Sequence, residues 1–183
     1  MRGYLLVCTF VFGAAFGSFL NVCICRLPER RSIAWPRSSC PRCGKRLAPR
    51  DLAPVLSYLA LGGRCRYCRE PISIQYPIVE LATGLLFATV VAVHGVSLVS
   101  LKYLIFVSLL VVVAGTDINT RLIPNAVTYP GMAVGFILSL FIPGISFLQS
   151  IVGLLVCGGV VYLLAWASRG GMGGGDIKLM GMM

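Results

Sequence analysis

The sequence predicts an all-α polytopic membrane protein of about six transmembrane helices, the last one truncated, with a small cytosolic metal-binding loop domain after the first helix. The mean hydropathy is +0.88. Only 12% of the 183 residues are charged, whereas soluble domains carry about 25%. Apolar runs of bilayer length recur along the chain, and the basic residues are concentrated in one segment. These features exclude an ordinary soluble domain and a disordered chain.

Five apolar runs approach or reach the roughly 20 residues that a membrane-spanning helix needs. They cover residues 4–24, 77–94, 98–116, 126–142 and 146–167, and a sixth begins near Gly174. The first run is longer than the apolar region of a signal peptide and the basic excess follows it, so we interpret it as a retained helix. We predict a first transmembrane helix at 1–25, a cytosolic four-cysteine loop domain at 26–76, and a transmembrane core at 77–183 that carries two aspartates and is incomplete at its C-terminal end.

The charge distribution predicts the orientation of these spans. Residues 26–75 hold eleven of the sixteen basic residues against three acidic ones. Beside membrane spans, such a cluster is more typical of a cytoplasmic loop than of a nucleic-acid site. With this loop in the cytosol, the N-terminus is periplasmic. Counting spans then brings Asp117 and Asp176 to the same cytosolic face.

Two of the three aspartates lie at the edge of a span. Asp117 ends the third and Asp176 opens the sixth, while Asp51 lies in the basic loop, where water or an arginine would satisfy it. Carboxylates at a membrane boundary are costly and are usually functional or paired. Two carboxylates that meet share one proton, so one can act as a general base on water and the other as a general acid. We predict that Asp117 and Asp176 are catalytic; the simpler alternative is that Asp117 caps its helix or pairs with Arg121.

The residues that flank each aspartate favour an opened backbone. Pro124 and its restricted neighbour Ile123 favour a break between the third and fourth spans. The stretch before Asp176 is dense in glycine and includes Gly173 and Gly175. Glycine permits close backbone approach, which would let an extended substrate strand pair there and admit water. A flexible linker or a close-packing interface is the alternative.

Two C-x-x-C pairs in the basic loop are separated by 21 residues. They consist of Cys40, Cys43, Cys65 and Cys68. This spacing is typical of a zinc site, and the neighbouring basic residues would offset the charge of four thiolates. A closed four-sulfur site has no open position for water, so we predict a structural zinc ion. Free thiols or a redox pair are the alternatives.

Together these motifs resemble the bacterial type IV prepilin peptidases, which are GxGD intramembrane aspartic proteases. The similarity runs along nearly the whole chain. The first catalytic motif of that family, an Asp followed by Ile-Pro, corresponds to Asp117 with Ile123 and Pro124. The second, G-x-G-D-x-K-L, corresponds to residues 173–179. Other matching segments are the N-terminal signature at 17–22 with 26–28, the paired cysteines, and the stretches 54–59, 61–66 and 72–81.

The resemblance implies an aspartic endopeptidase of the bacterial inner membrane. Its substrates would be type IV prepilins and type II secretion pseudopilins, whose leader peptides it would cleave at the cytosolic face. Members with the cysteine loop often methylate the new N-terminus with S-adenosylmethionine, so this second activity is also implied. In the second motif the supporting residues would be Gly173, Gly175 and Lys178. No S-adenosylmethionine contacts are assigned, because the chain has no G-x-G-x-x-G after a strand.

The main alternative is a non-catalytic membrane scaffold with a zinc-ribbon docking loop. A transporter that used the aspartates as a relay would place them nearer the midplane. The expected partners are prepilins, pseudopilins and the lipid bilayer, with no nucleic acid. Only seven residues follow Asp176, whereas family members continue with further helices. We therefore expect this chain alone to cleave prepilin poorly compared with a C-terminally extended form.

Overall fold

The computed structural model describes residues 2–142, 147–167 and 174–182, which form seven α-helices, one 3-10 helix and no β-strand. The α-helices are α1 (Arg2–Arg26), α2 (Leu56–Ala60), α3 (Gln75–His94), α4 (Leu98–Thr120), α5 (Asn125–Phe141), α6 (Phe147–Ala167) and α7 (Gly174–Met182). The 3-10 helix covers Pro49–Leu52. The all-α class is confirmed, and α1, α3, α4, α5 and α6 coincide with the five predicted runs to within a few residues at each end.

Three of these helices, α1, α3 and α4, are long and apolar enough to cross a bilayer. Helix α5 and the stretch Ile151–Ala167 of α6 are apolar but shorter. Many large apolar side chains on the helices are exposed, among them Tyr4, Phe141 and Trp166. A surface of this kind is suited to lipid. The chain is therefore a helical membrane protein, while the count of six spans stays a prediction.

The chain divides into two compact units, Met1–Val96 and Ser97–Met183. In the first, α1 packs along α3 at very close range. A Cβ atom at Gly13 would lie 2.8 Å from Cβ of Phe87, and one at Gly17 would lie 2.8 Å from Cα of Glu80. The G-x-x-x-G spacing of these glycines allows two helix backbones to approach closely within lipid, and it was not among the predicted motifs. The three-part domain division stays a prediction.

In the second unit, α5 packs against α4, α6 and α7, and α7 also packs against α6. Helix α4 ends because Arg121 adopts the left-handed conformation, with φ 53° and ψ 31°, and its N–H donates to the carbonyl oxygen of Asp117. Three residues later, Pro124 lacks the N–H that a continuing helix would use. The predicted break between these two helices is confirmed. Residues 143–146, at the junction of the fourth and fifth predicted runs, lie outside the described residues.

Candidate active site and four-cysteine centre

The two C-x-x-C pairs sit in turns of the same construction. The N–H of Gly44 donates to the carbonyl oxygen of Cys40 at 2.9 Å, and the N–H of Arg69 donates to that of Cys65 at 3.0 Å. Gly44 and Arg69 each follow the second cysteine of a pair, and both have positive φ, 68° and 61°. Each turn curls the backbone so that its two thiols lie on the same side. Only at position 44 does the sequence supply the glycine that this conformation favours.

The four sulfur atoms converge on one point. All four Sγ atoms lie within 4.8 Å of one another, and those of Cys40 and Cys68 are 3.8 Å apart. A tetrahedral ion with metal–sulfur distances of about 2.3 Å has sulfur–sulfur edges of about 3.8 Å. The predicted clustering of Cys40, Cys43, Cys65 and Cys68 is confirmed, and the donor set fits a single tetrahedral metal ion.

The electrostatics of the thiols also favour a cation. Backbone N–H groups of Cys68 and Tyr67 lower the pKa of Cys65 to about 7. The N–H of Glu70 lowers the pKa of Cys68, but desolvation and the neighbouring thiols outweigh it and raise that pKa to about 12. The Cys68 thiol therefore resists ionisation unless a positive charge compensates it. A bound metal ion supplies that charge when it displaces the thiol protons.

An ion pair joins the 3-10 helix to the second cysteine turn. Asp51 Oδ1 lies 2.7 Å from Nη2 of Arg66 and accepts a hydrogen bond from its Nε at 2.8 Å. The side chain of Asp51 is only 3% exposed, and the hydrogen bond from Arg66 holds the pKa of this carboxyl below its ordinary value. From the sequence alone either water or an arginine could satisfy Asp51, and in the structure its partner is Arg66.

Buried Glu80 ties the cysteine loop to the helices. Its Oε2 accepts a hydrogen bond from the N–H of Val55 at 2.7 Å, Ser18 of α1 also hydrogen-bonds to it, and the residue is 6% exposed. Val55 has φ 59° and ψ −47°, which is unusual for a β-branched residue. Nearby, the Asn21 amide donates to the carbonyl oxygen of Tyr76 at 3.1 Å. These contacts make Glu80 an anchor between the loop and the helices.

The two aspartates occupy opposite kinds of helix end. Asp117 lies exposed in the last turn of α4, whereas Asp176 lies partly exposed in the first turn of α7. Within the described part of the chain, no cation lies at ion-pair distance from Asp117. The alternative that paired it with Arg121 is therefore not realised there. Gly173 lies outside the described residues.

The segment that follows Asp117 and the segment that contains Asp176 are in contact. A Cβ atom at Gly175 would lie 2.9 Å from Cβ of Ile123. Lys178 Nζ donates to Oδ1 of Asn125 at 2.9 Å, and it lies 5.3 Å from the ring centroid of Tyr129. The two predicted motifs therefore meet, although they are far apart in sequence. The role of Tyr129 carried no sequence signal beyond its place one helical turn after Asn125.

The fold and these sites define a class: helical membrane proteins that have a loop with four clustered cysteines, which could hold a metal ion, and a helical unit in which two aspartate-bearing motifs touch. Residues 11–94 match the bacterial peptidase A24 N-terminal domain, and residues 104–183 match the type IV leader peptidase family. The chain therefore belongs to the type IV leader peptidase family, and the resemblance inferred from its motifs is confirmed.

Individual relatives support the same assignment. A protein of Bacillus subtilis (strain 168) named prepilin leader peptidase/N-methyltransferase is 40% identical over 179 residues, which cover 95% of this chain and 70% of the relative. Proteins of the same name from Myxococcus xanthus (strain DK1622) and Klebsiella pneumoniae are 41% and 37% identical. They align with 95% and 93% of this chain, and with 53% and 80% of their own lengths. No solved structure gives a significant match.

Proposed function

We propose that this protein is a membrane-embedded aspartic endopeptidase that removes the leader peptide of type IV prepilins and type II secretion pseudopilins. Asp117 and Asp176 are its catalytic carboxylates. It then N-methylates the new N-terminus with S-adenosylmethionine as the methyl donor. Family membership and the names of the relatives support both activities. The observation that carries the assignment of the aspartates is the contact between the segment that follows Asp117 and the segment that contains Asp176.

The chemistry requires one proton shared by two carboxyl groups. The ionised carboxylate removes a proton from water, which attacks the carbonyl carbon of the scissile bond. The protonated carboxyl hydrogen-bonds to the carbonyl oxygen and stabilises the charge that develops there. Helix stability does not explain the position of Asp117, because a negative charge in the last turn of a helix is disfavoured by about 0.3–1 kcal/mol.

The motif residues around the aspartates have a positioning role in this proposal. Pro124 ends the connection after α4 and fixes where Ile123 lies. Gly175 lets α7 approach Ile123, and Lys178 holds α7 to the start of α5 through Asn125. Gly173 lies outside the described residues and remains a predicted residue of the same motif. Together these contacts support a site in which the first turn of α7 is held against the α4–α5 connection.

In the proposed topology the N-terminus is periplasmic, the protein resides in the bacterial inner membrane, and both the cysteine loop and the aspartates face the cytosol. Five of the six spans are α1, α3, α4, α5 and α6, and α7 begins the sixth. Helix α5 has 17 residues and is about 25 Å long, which is slightly less than a hydrocarbon core of about 30 Å. The concentration of basic residues in 26–75 supports this orientation.

We propose zinc as the metal of the four-cysteine site, bound by Cys40, Cys43, Cys65 and Cys68. When bound, it supplies a cross-link between the two cysteine turns and compensates their charge. Four thiolate ligands leave no position for water, so its role is structural. The ion pairs Arg66–Asp51 and Arg42–Glu70 support the same turns from outside.

The test is mass spectrometry of a prepilin co-expressed with the protein. Wild type is expected to give a product that lacks the leader and carries a methyl group on its new N-terminus. The Asp117→Asn and Asp176→Asn variants should leave the precursor intact, because neither can share a proton between two carboxyl groups. Their yield in membranes and their circular dichroism should match wild type.

Glu29→Gln is the matched control, because it makes the same acid-to-amide change at an exposed residue and should leave processing unchanged. Normal leader removal by either aspartate variant would refute the catalytic assignment. That outcome would favour the alternative of a non-catalytic scaffold with a zinc-ribbon docking loop. Leader removal without methylation by wild type would refute the second activity alone.

A further inference from the structure

The cysteine loop carries large apolar side chains that its own fold leaves uncovered. On α2, Leu56 and Leu59 are 70% and 69% exposed, and in the segment after α1, Trp35 is 65% exposed. Leu56 and Leu59 are three residues apart and therefore share one face of their short helix. Covering a leucine side chain fully is worth about 1.5–3 kcal/mol, so this face favours an apolar environment.

A single hydrogen bond sets the position of α2 along the spanning helix α3. Val55 directly precedes α2, and its N–H donates to Oε2 of Glu80. Helix α3 begins at Gln75, so the backbone of Glu80 lies about 7.5 Å inside that helix at 1.5 Å per residue. The glutamate side chain leans back toward the start of the helix. Helix α2 therefore begins beside the first turns of a membrane-spanning helix and does not project beyond its end.

A second contact places Trp35 at the end of the other spanning helix. Arg26 is the last residue of α1. Its Nη1 donates to the carbonyl oxygen of Ser32 at 2.9 Å and its Nη2 to that of Pro36 at 2.8 Å. The segment that contains Trp35 is thus folded back onto the terminus of α1. Tryptophan is enriched at the ends of membrane-spanning helices, where its ring sits among lipid headgroups.

The positive charge of the loop indicates that it would contact an anionic surface. Of the eleven basic residues in 26–75, only Arg31, Arg42 and Arg66 form an ion pair within the described residues. An arginine or lysine near an anionic lipid surface contributes about 1 kcal/mol. The apolar side chains lie at the level of the helix ends and are accompanied by basic residues that form no ion pair in the described ranges. This combination is complementary to the headgroup region of an anionic leaflet.

We propose that the cysteine loop lies on the anionic leaflet as an interfacial anchor. Leu56, Leu59 and Trp35 enter the boundary between headgroups and acyl chains, and the basic residues contact the anionic headgroups. The four-cysteine centre is thereby held at the membrane surface instead of extending into the cytosol. The inference rests on the first unit alone and is independent of cleavage and methylation.

Tryptophan fluorescence tests this directly, because the chain has only two tryptophans. The Trp166→Phe variant leaves Trp35 as the sole reporter. A second reporter is a tryptophan introduced by Leu59→Trp in a Trp35→Phe, Trp166→Phe background. Each purified protein is reconstituted in vesicles of phosphatidylcholine, with or without phosphatidylglycerol, that contain lipids brominated at a shallow or a deep acyl position.

We expect both reporters to be quenched more by shallow than by deep bromine, and to be largely shielded from aqueous acrylamide. Phosphatidylglycerol should increase the quenching, and added salt should reverse that increase. Reporters that are open to acrylamide and insensitive to bromine would overturn the proposal. So would reporters shielded from both quenchers, since a protein partner or a second copy would then cover this face. Equal quenching with and without phosphatidylglycerol would overturn the role of the anionic lipid.

Discussion

Gly175 provides the sharpest test of how the two aspartate motifs are held together. In Gly175→Ala the added methyl group would lie 2.9 Å from Cβ of Ile123 and 3.2 Å from its Cγ1 and Cδ1. Carbon atoms in ordinary contact lie about 3.5–4.0 Å apart, so the closest pair is too near by about 0.6–1.1 Å. The Cβ atom of isoleucine is the branch point next to the backbone and cannot swing away. Helix α7 must therefore move relative to Ile123.

The size of the effect follows from that movement. Overpacking of this kind costs about 1–3 kcal/mol, and Asp176 is the next residue along α7. A misplacement of about 1 Å in an active site can cost about a hundredfold in rate. We expect Gly175→Ala to lower the rate of leader removal by about 10- to 100-fold while the protein remains folded in the membrane.

The neighbouring glycine supplies the matched control. A Cβ atom at Gly174 would meet nothing within 4 Å, and both glycines lie in the first turn of α7. Gly174→Ala should therefore cleave prepilin at a rate within about twofold of wild type, since only backbone propensity changes, by about 1 kcal/mol at most. The assay is the time course of leader removal from a purified prepilin in detergent. An equal loss of activity in both variants would mean that backbone flexibility, and not the contact with Ile123, causes the loss. Normal activity in both variants would mean that the contact does not belong to the active site.

Three further predictions concern the first unit. Cys43→Ser should remove most of the bound zinc as measured by atomic emission, because one ligand of four is lost, whereas Cys157→Ser outside the cluster should retain it; equal zinc contents would contradict the four-sulfur site. The pKa of Asp51 is lowered in the folded protein. Its ion pair therefore stabilises the loop fully at pH values above the ordinary carboxyl pKa. This stabilisation is lost as the pH falls through the lowered pKa. Asp51→Asn should therefore lower the unfolding temperature at neutral pH, with the difference from wild type shrinking in strong acid; a pH-independent difference would contradict the ion pair. Gly17→Ala should destabilise the protein by about 1–3 kcal/mol, because its Cβ atom would meet the α3 backbone, while Gly3→Ala, with open space at its Cβ position, should unfold at the wild-type temperature.

Much of the fold could be predicted because lipid imposes simple rules. A span needs a long apolar run, and Pro124 marks the break between α4 and α5 in the sequence itself. The clustering of Cys40, Cys43, Cys65 and Cys68 was equally accessible, because each C-x-x-C spacing places two thiols on one turn and a metal ion requires four ligands.

The contacts between distant segments could not be predicted from the sequence alone. The partner of Glu80 is a backbone N–H, and it becomes available only because Val55 adopts a positive φ that its residue type disfavours. The close approach of α1 and α3 depends on which two helices pair, which the G-x-x-x-G spacing at Gly13 and Gly17 does not specify. The bond between Lys178 and Asn125 likewise depends on how α7 packs against α5.

Cysteine cross-linking tests most directly whether the side chains at positions 117 and 176 lie close together at one membrane face. Asp117→Cys and Asp176→Cys are combined in a chain that carries Cys8→Ser and Cys157→Ser, and membranes are treated with a short thiol-specific cross-linker before peptide mapping. We expect an intramolecular link between the two positions, and labelling of both by an impermeant maleimide only in inside-out vesicles. Labelling from opposite sides of the membrane, or no link under conditions that modify each cysteine separately, would contradict a shared-proton active site.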